Sequence, residues 1–402
     1  MAEPIPSPPP KPPAAKPAAV RDLRLDFFRG VSLILIFIDH IGENFFSYFT
    51  LQAITFFDAA EVFIFVSGFT AALVYGRRLA SKGALYATAQ ILRRVWQLYV
   101  AHVFLFVIFI AEVSYSSAAF QNPMFAEEMR VADFLGEPHI AVVKALMLQF
   151  QPTFLDILPV YIVMLGVFPL ILLGLRFNWL VVVVPSVTLY VFVQVSGLSV
   201  PAYPEGHVWF FNPLAWQVLF VAGAALGYAA IAGRDLSRIV RLLYPAAIVI
   251  FIAGLIIKMS WTLNGVWESV PGLLLRELWP VNKNNLSPLR LIPFFALVVL
   301  VAVHIPAQAR FLRSRAAEPM LLCGRHSLEI FCLGILLSAL GHFIVSEYDA
   351  GIAIQSAVIA GGIAIMIMTG RVIDWYRDME RAPAASPREP ASLPRFSGGS
   401  AT

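Results

Sequence analysis

The chain has 402 residues, of which 59% are hydrophobic and only 13% charged, with a formal net charge of +4. Soluble domains carry about 25% charged residues, so this balance excludes an ordinary soluble domain; with a mean hydropathy of +0.76 it identifies an integral membrane protein. The small positive excess is no sign of nucleic-acid binding, because no basic stretch is interleaved with aromatics on a polar domain.

Residues 1–20 are rich in Pro and Ala with no apolar core, and read as a disordered cytoplasmic extension that does not resemble a signal peptide. Apolar runs of about 20 residues, the length that crosses a bilayer, then recur near 30–49, 59–76, 95–113, 153–174, 178–197, 212–232, 243–261, 289–306, 320–345 and 350–371. The expected fold is an all-α membrane protein: about ten transmembrane helices in a single bundle spanning 21–377, both termini cytoplasmic, with a low-complexity tail over 378–402. Loop charge supports that count. With the N-terminus inside, 23 of the 29 Lys and Arg residues fall on the cytoplasmic side; the far side holds only Arg130, Lys144, Lys258, Arg276, Lys283 and Arg290. The longest far-side loop, 114–152, contains an amphipathic stretch at 139–150 that suits a helix lying in the interface. Cys323 and Cys332 fall within the ninth run and read as buried thiols.

The first run carries the most informative pair. Arg29 and His40 are eleven residues apart, about three turns plus 20°, so they share one helix face roughly 16 Å apart. Ionisable groups at membrane depth cost about 2.5–3.5 kcal/mol near the bilayer centre and mark functional candidates. Glu43 and Asn44, three and four residues on, share the face of His40 and suit the task of orienting its ring. Asp39 points about 100° away and needs a partner on another element, or a proton. An imidazole held by a carboxylate is equipped to act as a general base. The alternative is a polar knot that fixes helix packing.

The second run opens with Asp58 and, three residues later, Glu61. Either acid suits a helix N-terminus, and Glu61 also lies where it can orient His40 or meet a sugar hydroxyl. Ser67-Gly68 reads as a close-packing point. The next loop holds Arg77, Arg78, Lys82, Arg93 and Arg94 without an acid. This is a positive-inside signal, and it also suits a phosphorylated donor such as coenzyme A. Further along, Trp279 and the amides Asn282, Asn284 and Asn285 suit a carbohydrate, with Lys283 and Arg290 available to steady an anionic acyl group. Glu205 and His207 lie where they can join the same pocket, whereas Arg325 and His326 read as a cap and salt-bridge site. No His-Glu-x-x-His, paired Cys-x-x-Cys, glycine-rich phosphate loop or Gly-x-Ser-x-Gly elbow occurs.

Several of these segments together resemble the acyltransferase-3 superfamily of membrane acyltransferases: Arg29-x10-His40, Phe65-Val66-Ser67-Gly68-Phe69 and Arg93-Arg94-x-x-Gln97-Leu98-Tyr99. Phe57-Asp58-Ala59-Ala60-Glu61-Val62-Phe63, Asn284-Asn285-Leu286-Ser287-Pro288-Leu289-Arg290 and Gly324-Arg325-His326-Ser327-Leu328 are similar to its OpgC-type branch, the osmoregulated periplasmic glucan succinyltransferases. The resemblance runs from about residue 21 to 377. Gln97 and Val100 depart from the Arg and Pro frequent in the wider superfamily.

The resemblance implies a multi-pass protein of the bacterial inner membrane, with no permanently bound cofactor. It would move an acyl group, succinyl in this branch, from cytoplasmic acyl-CoA to hydroxyls of an extracytoplasmic glucan. Arg29 and His40 match the functional pair, with His40 as base or transient acyl carrier and Asp39 and Glu61 beside it. The expected donor residues are Arg77, Arg78, Arg93 and Arg94; the expected acceptor residues are Glu43, Asn44, Asp58, Lys283, Asn284, Asn285 and Arg290. Two rivals are acetylation of another surface glycan such as lipopolysaccharide, and a transporter relaying protons through His40, Asp39 and Glu61. The inverted repeats common in transporters are not visible in this sequence.

Overall fold

A computed structural model describes residues 22–42, 44–263, 281–348 and 351–381. Glu43, Arg276 and Trp279 therefore lie outside the described residues, as do 1–20 and nearly all of the C-terminal tail. Secondary structure among the described residues is helical apart from two isolated β-bridges, Phe150 with Tyr203 and Pro201 with Val208.

The principal helices in chain order are α1 (Leu23–His40), α2 (Ala59–Lys82), α3 (Ala84–Ala119), α4 (Pro138–Leu146), α5 (Ile157–Phe177) and α6 (Leu180–Ser196). They continue as α7 (Pro213–Ile231), α8 (Ser237–Thr262), α9 (Pro288–His304), α10 (Glu318–Arg325), α11 (Ser327–Glu347) and α12 (Ile352–Arg381). Seven of them, α2, α3, α5, α7, α8, α11 and α12, are long and apolar enough to cross a membrane, while α6 and α9 are apolar but shorter. The protein is a multi-pass helical membrane protein.

Helices occupy all ten apolar runs, with two differences. The first helix begins and ends earlier than the run at 30–49, stopping at His40, and the ninth is broken at His326 between α10 and α11. The expected basic loop at 77–94 is also helical: α2 and α3 run through it, separated by Gly83 alone, whose φ of +83° suits a residue without Cβ. At 36 residues, about 54 Å, α3 outreaches a hydrocarbon core about 30 Å thick, so the arginines can sit on helix and still reach water.

Helix starts follow from short-range chemistry. Asp22 caps α1 by accepting from Arg24 N, and Asp58 with Glu61 forms a reciprocal capping box on α2. Asn212 and Ser287 cap α7 and α9, each followed by a proline at the first helical position, where the missing N–H is harmless. The core is built around α2 against α7. A Cβ at Gly68 would collide with the Phe220 carbonyl, and one at Gly223 with that of Phe65, so these glycines let the two backbones touch. The stretch near 139–150 does contain a short helix, α4, with Ala141 and Ala145 buried and Val142, Val143 and Leu146 exposed.

The cation-rich loops meet at one end of the bundle. Arg24 Nη1 donates to the Ile305 carbonyl at 2.9 Å, Arg325 and His326 share Asp374, and Arg377 pairs with Glu329. Residues 120–156 and 197–212 form a cap over the other end, joined through the Phe150–Tyr203 bridge.

Candidate functional site

Helix α1 links two cavities. The first, about 150 Å³, is lined by Arg29, Ser67, Thr70, Tyr75, Arg94 and Tyr161, with Phe63, Leu98, Leu158 and Phe331 among its apolar walls. The Arg29 guanidinium donates to Thr70 Oγ1 at 2.8 Å. The second, about 340 Å³, is lined by His40, Glu128, Arg130, Gln151, Asp156, His207 and Lys283 and by the rings of Phe154, Tyr203, Phe210 and Phe211. The cavities approach each other at the start of α5, where Asp156 lines one and Leu158 the other.

His40 is the last residue of α1 and is half-buried. Its ring stacks on Phe154 with centroids 4.2 Å apart and planes 22° from parallel. Phe154 has φ of +75°, a left-handed conformation that costs a bulky L-residue about 1–3 kcal/mol and persists where its surroundings hold it. The buried His40 Nδ1 has no hydrogen-bond partner among the described residues, and neither has Gln151 Oε1 in the same cavity wall. Orphaned buried polar atoms are uncommon and call for an explanation, a bound ligand or water among them.

Each cavity carries one member of the Arg29–His40 pair, Arg29 from the second turn of α1 and His40 from its last residue. A family model described as OpgC protein matches residues 21–378. The chain belongs to the OpgC protein family. Family membership points to a transferase of the acyltransferase kind. No curated protein and no solved structure matches the chain.

Within this member of the family, the structure separates the expected site residues into those that reach a cavity and those that do not. Asn44 does not orient His40 and is not placed to bind an acceptor. Its amide donates to the Ile38 and Ile41 carbonyls and its oxygen accepts from Ser47 N, so the side chain both closes α1 and caps the following turn, with 1% exposure. The helix stops at His40, which removes the i,i+4 geometry that would have paired them. Asp39 finds its partner outside α1, accepting from Gln52 Nε2 at 2.9 Å.

Asp58, Glu61 and Arg290 form a buried ion network. Arg290 Nε donates to Glu61 Oε1 at 2.6 Å and its Nη2 to Asp58 Oδ2 at 2.9 Å, while Glu61 Oε2 accepts from Asp58 N. Glu61 is fully buried. Its two oxygens are thus engaged by Arg290 and the helix cap, and neither bonds to His40. The reason is electrostatic: two carboxylates at one buried helix start need a cation, and the guanidinium fork of Arg290 meets both. The trio ties α2 to α9, and Asp58 and Arg290 do not line the far cavity. Lys283 does. It joins the network through Asp58 at 2.6 Å and lies over the Phe210 and Phe211 rings, 5.5 Å from each centroid.

Neither Asn284 nor Asn285 lines the cavity. The Asn284 carbonyl accepts from Asn212 N and Trp216 Nε1, and Asn285 Oδ1 accepts from Asn212 Nδ2 and Ser199 Oγ. They anchor the segment before α9 to α7 and to the loop after α6. Of the four expected donor arginines, only Arg94 lines the Arg29 cavity. Arg78 donates to Gln90, and Arg77 and Arg93 are exposed outside it. Tyr99, in the same motif as Arg94, donates to the Leu146 carbonyl and steadies α4.

Sequence patterning missed Thr70, Tyr75, Tyr161, Glu128, Arg130, Gln151, Phe154 and Asp156. Of the weaker pair near the sixth run, His207 lines the far cavity. The hydroxyl of Thr70 lies within an apolar run and carries no periodic signal. The capping residues on 128–156 become neighbours of His40 only through the tertiary fold. No cluster of three or more metal-ligating side chains occurs among the described residues.

Proposed function

We propose that this chain is a membrane O-acyltransferase that takes an acyl group, succinyl in particular, from cytoplasmic acyl-CoA and delivers it to hydroxyls of a periplasmic glucan at the bacterial inner membrane. The observation that carries the reading is the pair of cavities on α1, one holding Arg29 and the other His40, separated at the start of α5 by the span from Asp156 to Leu158. The loop charges assign the Arg29 end to the cytoplasm and the His40 end to the far side.

In this reading the charged side chains that line the first cavity, among the described residues, are the guanidiniums of Arg29 and Arg94. They suit the phosphates of the anionic donor. Aromatic and aliphatic walls suit the apolar stretch of a pantetheine arm. The far cavity combines rings with both signs of charge, as a polyhydroxyl acceptor requires. His40 takes the proton of an acceptor hydroxyl as the oxygen attacks the acyl carbonyl, or first carries the acyl group itself. The thiolate of coenzyme A leaves and the proton follows it. Lys283, with Arg130 on the same cavity wall, is placed to meet the free carboxylate of a succinyl group.

The test compares His40→Ala and Arg29→Ala in membranes with mass spectrometry of the periplasmic glucan. Loss of succinyl groups at unchanged protein level is expected from both. Retained succinylation would refute the assignment, and loss of acetyl from another surface glycan instead would redirect the acceptor.

A further inference from the structure

A second histidine stands behind the first. His342, on α11, uses both ring nitrogens: Nδ1 accepts from Gly42 N at 3.1 Å, and Nε2 lies 2.9 Å from Glu128 Oε2. A backbone N–H can only donate, so Nδ1 carries no proton in this arrangement; the proton sits on Nε2 and is donated to Glu128. Glu128 belongs to the cap and lines the His40 cavity.

One helical turn earlier on the same face of α11, Ser338 Oγ lies 3.1 Å from the Phe37 carbonyl and 2.8 Å from that of Gly334. Ser338 thus holds α1 three residues before His40, and His342 holds it two residues after. Residue 42 must be glycine for this to work, since a Cβ there would collide with the His342 ring. Between the two contacts, a Cβ added at Gly341 would come within 3.2 Å of the Ile41 side chain, so α11 passes close to α1 there. The end of α1 is therefore gripped on both sides of His40 by a single turn of α11.

We infer that Glu128, His342 and Ser338 form a positioning device for His40, with Glu128 selecting the His342 tautomer that accepts from Gly42 N–H. The inference rests on the reading of His40 as the acyl-transfer residue. None of the three has to touch the reacting atoms. They act by fixing where α1 ends and how its last side chain enters the cavity, and near an attacking hydroxyl a misplacement of about 1 Å can lower the rate about 100-fold.

The two nitrogens of His342 can be imitated separately. Asparagine places an oxygen near the position of Nδ1, and glutamine places an amide near that of Nε2. His342→Asn therefore keeps an acceptor for Gly42 N–H, while His342→Gln keeps only the contact to Glu128. Both full-length variants, in native membranes or nanodiscs, are compared with wild type for acyl transfer and for hydrogen–deuterium exchange over residues 37–42. The expected result is that His342→Gln speeds exchange there and lowers kcat about 10- to 100-fold, with the donor KM unchanged. His342→Asn returns both readouts most of the way to wild type. Equal exchange in the two variants, or an equal loss of thermal stability with no difference in kcat, would overturn the inference. If exchange separates the variants while His40→Ala still transfers the acyl group, the reading of His40 fails and the grip on α1 stands.

Discussion

The two ends of α1 differ in how their key residue is held. At the cation-rich end Arg29 meets a hydroxyl, Thr70, in a small cavity whose charged side chains, among the described residues, are both arginines. At the far end His40 stacks on a strained phenylalanine in a cavity that mixes two carboxylates, two cations and several rings. An all-positive slot selects for an anion and little else. A mixed, ring-lined cavity can satisfy the many weak donors and acceptors of a sugar while keeping one imidazole nitrogen uncommitted. In the proposed function the contrast divides the work, with recognition of a charged donor in the first cavity and the chemistry in the second.

The sharpest way to break that division is at His40. His40→Gln retains polar shape without a titratable base, and transfer from labelled acyl-CoA to glucan in membrane vesicles should fall by about 10²–10⁴. A loss below about threefold would move the chemistry elsewhere. The next effect is on stability and tests whether the acids beside the far cavity are scaffold or site. Arg290→Met leaves Asp58 and Glu61 buried without their guanidinium, a loss of about 3–5 kcal/mol. The protein should then fail to accumulate, or melt far earlier in detergent. A stable variant with lowered acceptor affinity would return Arg290 to the binding site.

Donor recognition comes third. Arg29→Lys keeps the charge but loses the planar fork that reaches Thr70, and a charge-assisted hydrogen bond is worth about 1.5–3 kcal/mol. The donor KM should rise about tenfold or more with a smaller change in kcat. A fall in kcat alone would place Arg29 in the reacting centre and blur the division between the two ends.

How far these ends were legible in the sequence follows from the range of the signals. Helix positions, the Arg29–His40 spacing and the close packing at Gly68 are local. Helices lie over all ten runs and Gly68 makes its close contact, although α1 stops at His40, the ninth run breaks at His326 and the basic loop is helical. Asp58 and Glu61 were legible as a helix start, but their partner Arg290 is 229 residues from Glu61, and only the fold reveals that it neutralises them. Asn285 shows the converse failure: an amide beside a tryptophan suits a sugar, yet here its oxygen accepts from Asn212 and Ser199 at a loop anchor. Polar residues in a membrane protein must find partners, and composition cannot distinguish a partner in the protein from one in a ligand. Phe154 lay beyond any pattern, because its role depends on a backbone conformation that the sequence does not mark.

The smallest predicted effects are the most discriminating for the basic segment. Positive residues at 77–94 have two explanations, membrane orientation and donor binding, and the structure divides them by position. Arg94 lines the Arg29 cavity, whereas Arg77 and Arg93 are exposed outside it. Arg94→Gln removes one of two cavity cations and should raise the donor KM several-fold, in line with a partly exposed charge–charge interaction of about 1 kcal/mol. Arg77→Gln and Arg93→Gln should leave that KM within about twofold, and doubling them should alter insertion or yield before it alters turnover. If all three raise the KM alike, the donor is bound by a diffuse basic surface. The cavity at the Arg29 end would then be an entrance to that surface, and its all-positive lining would no longer be what selects the anion.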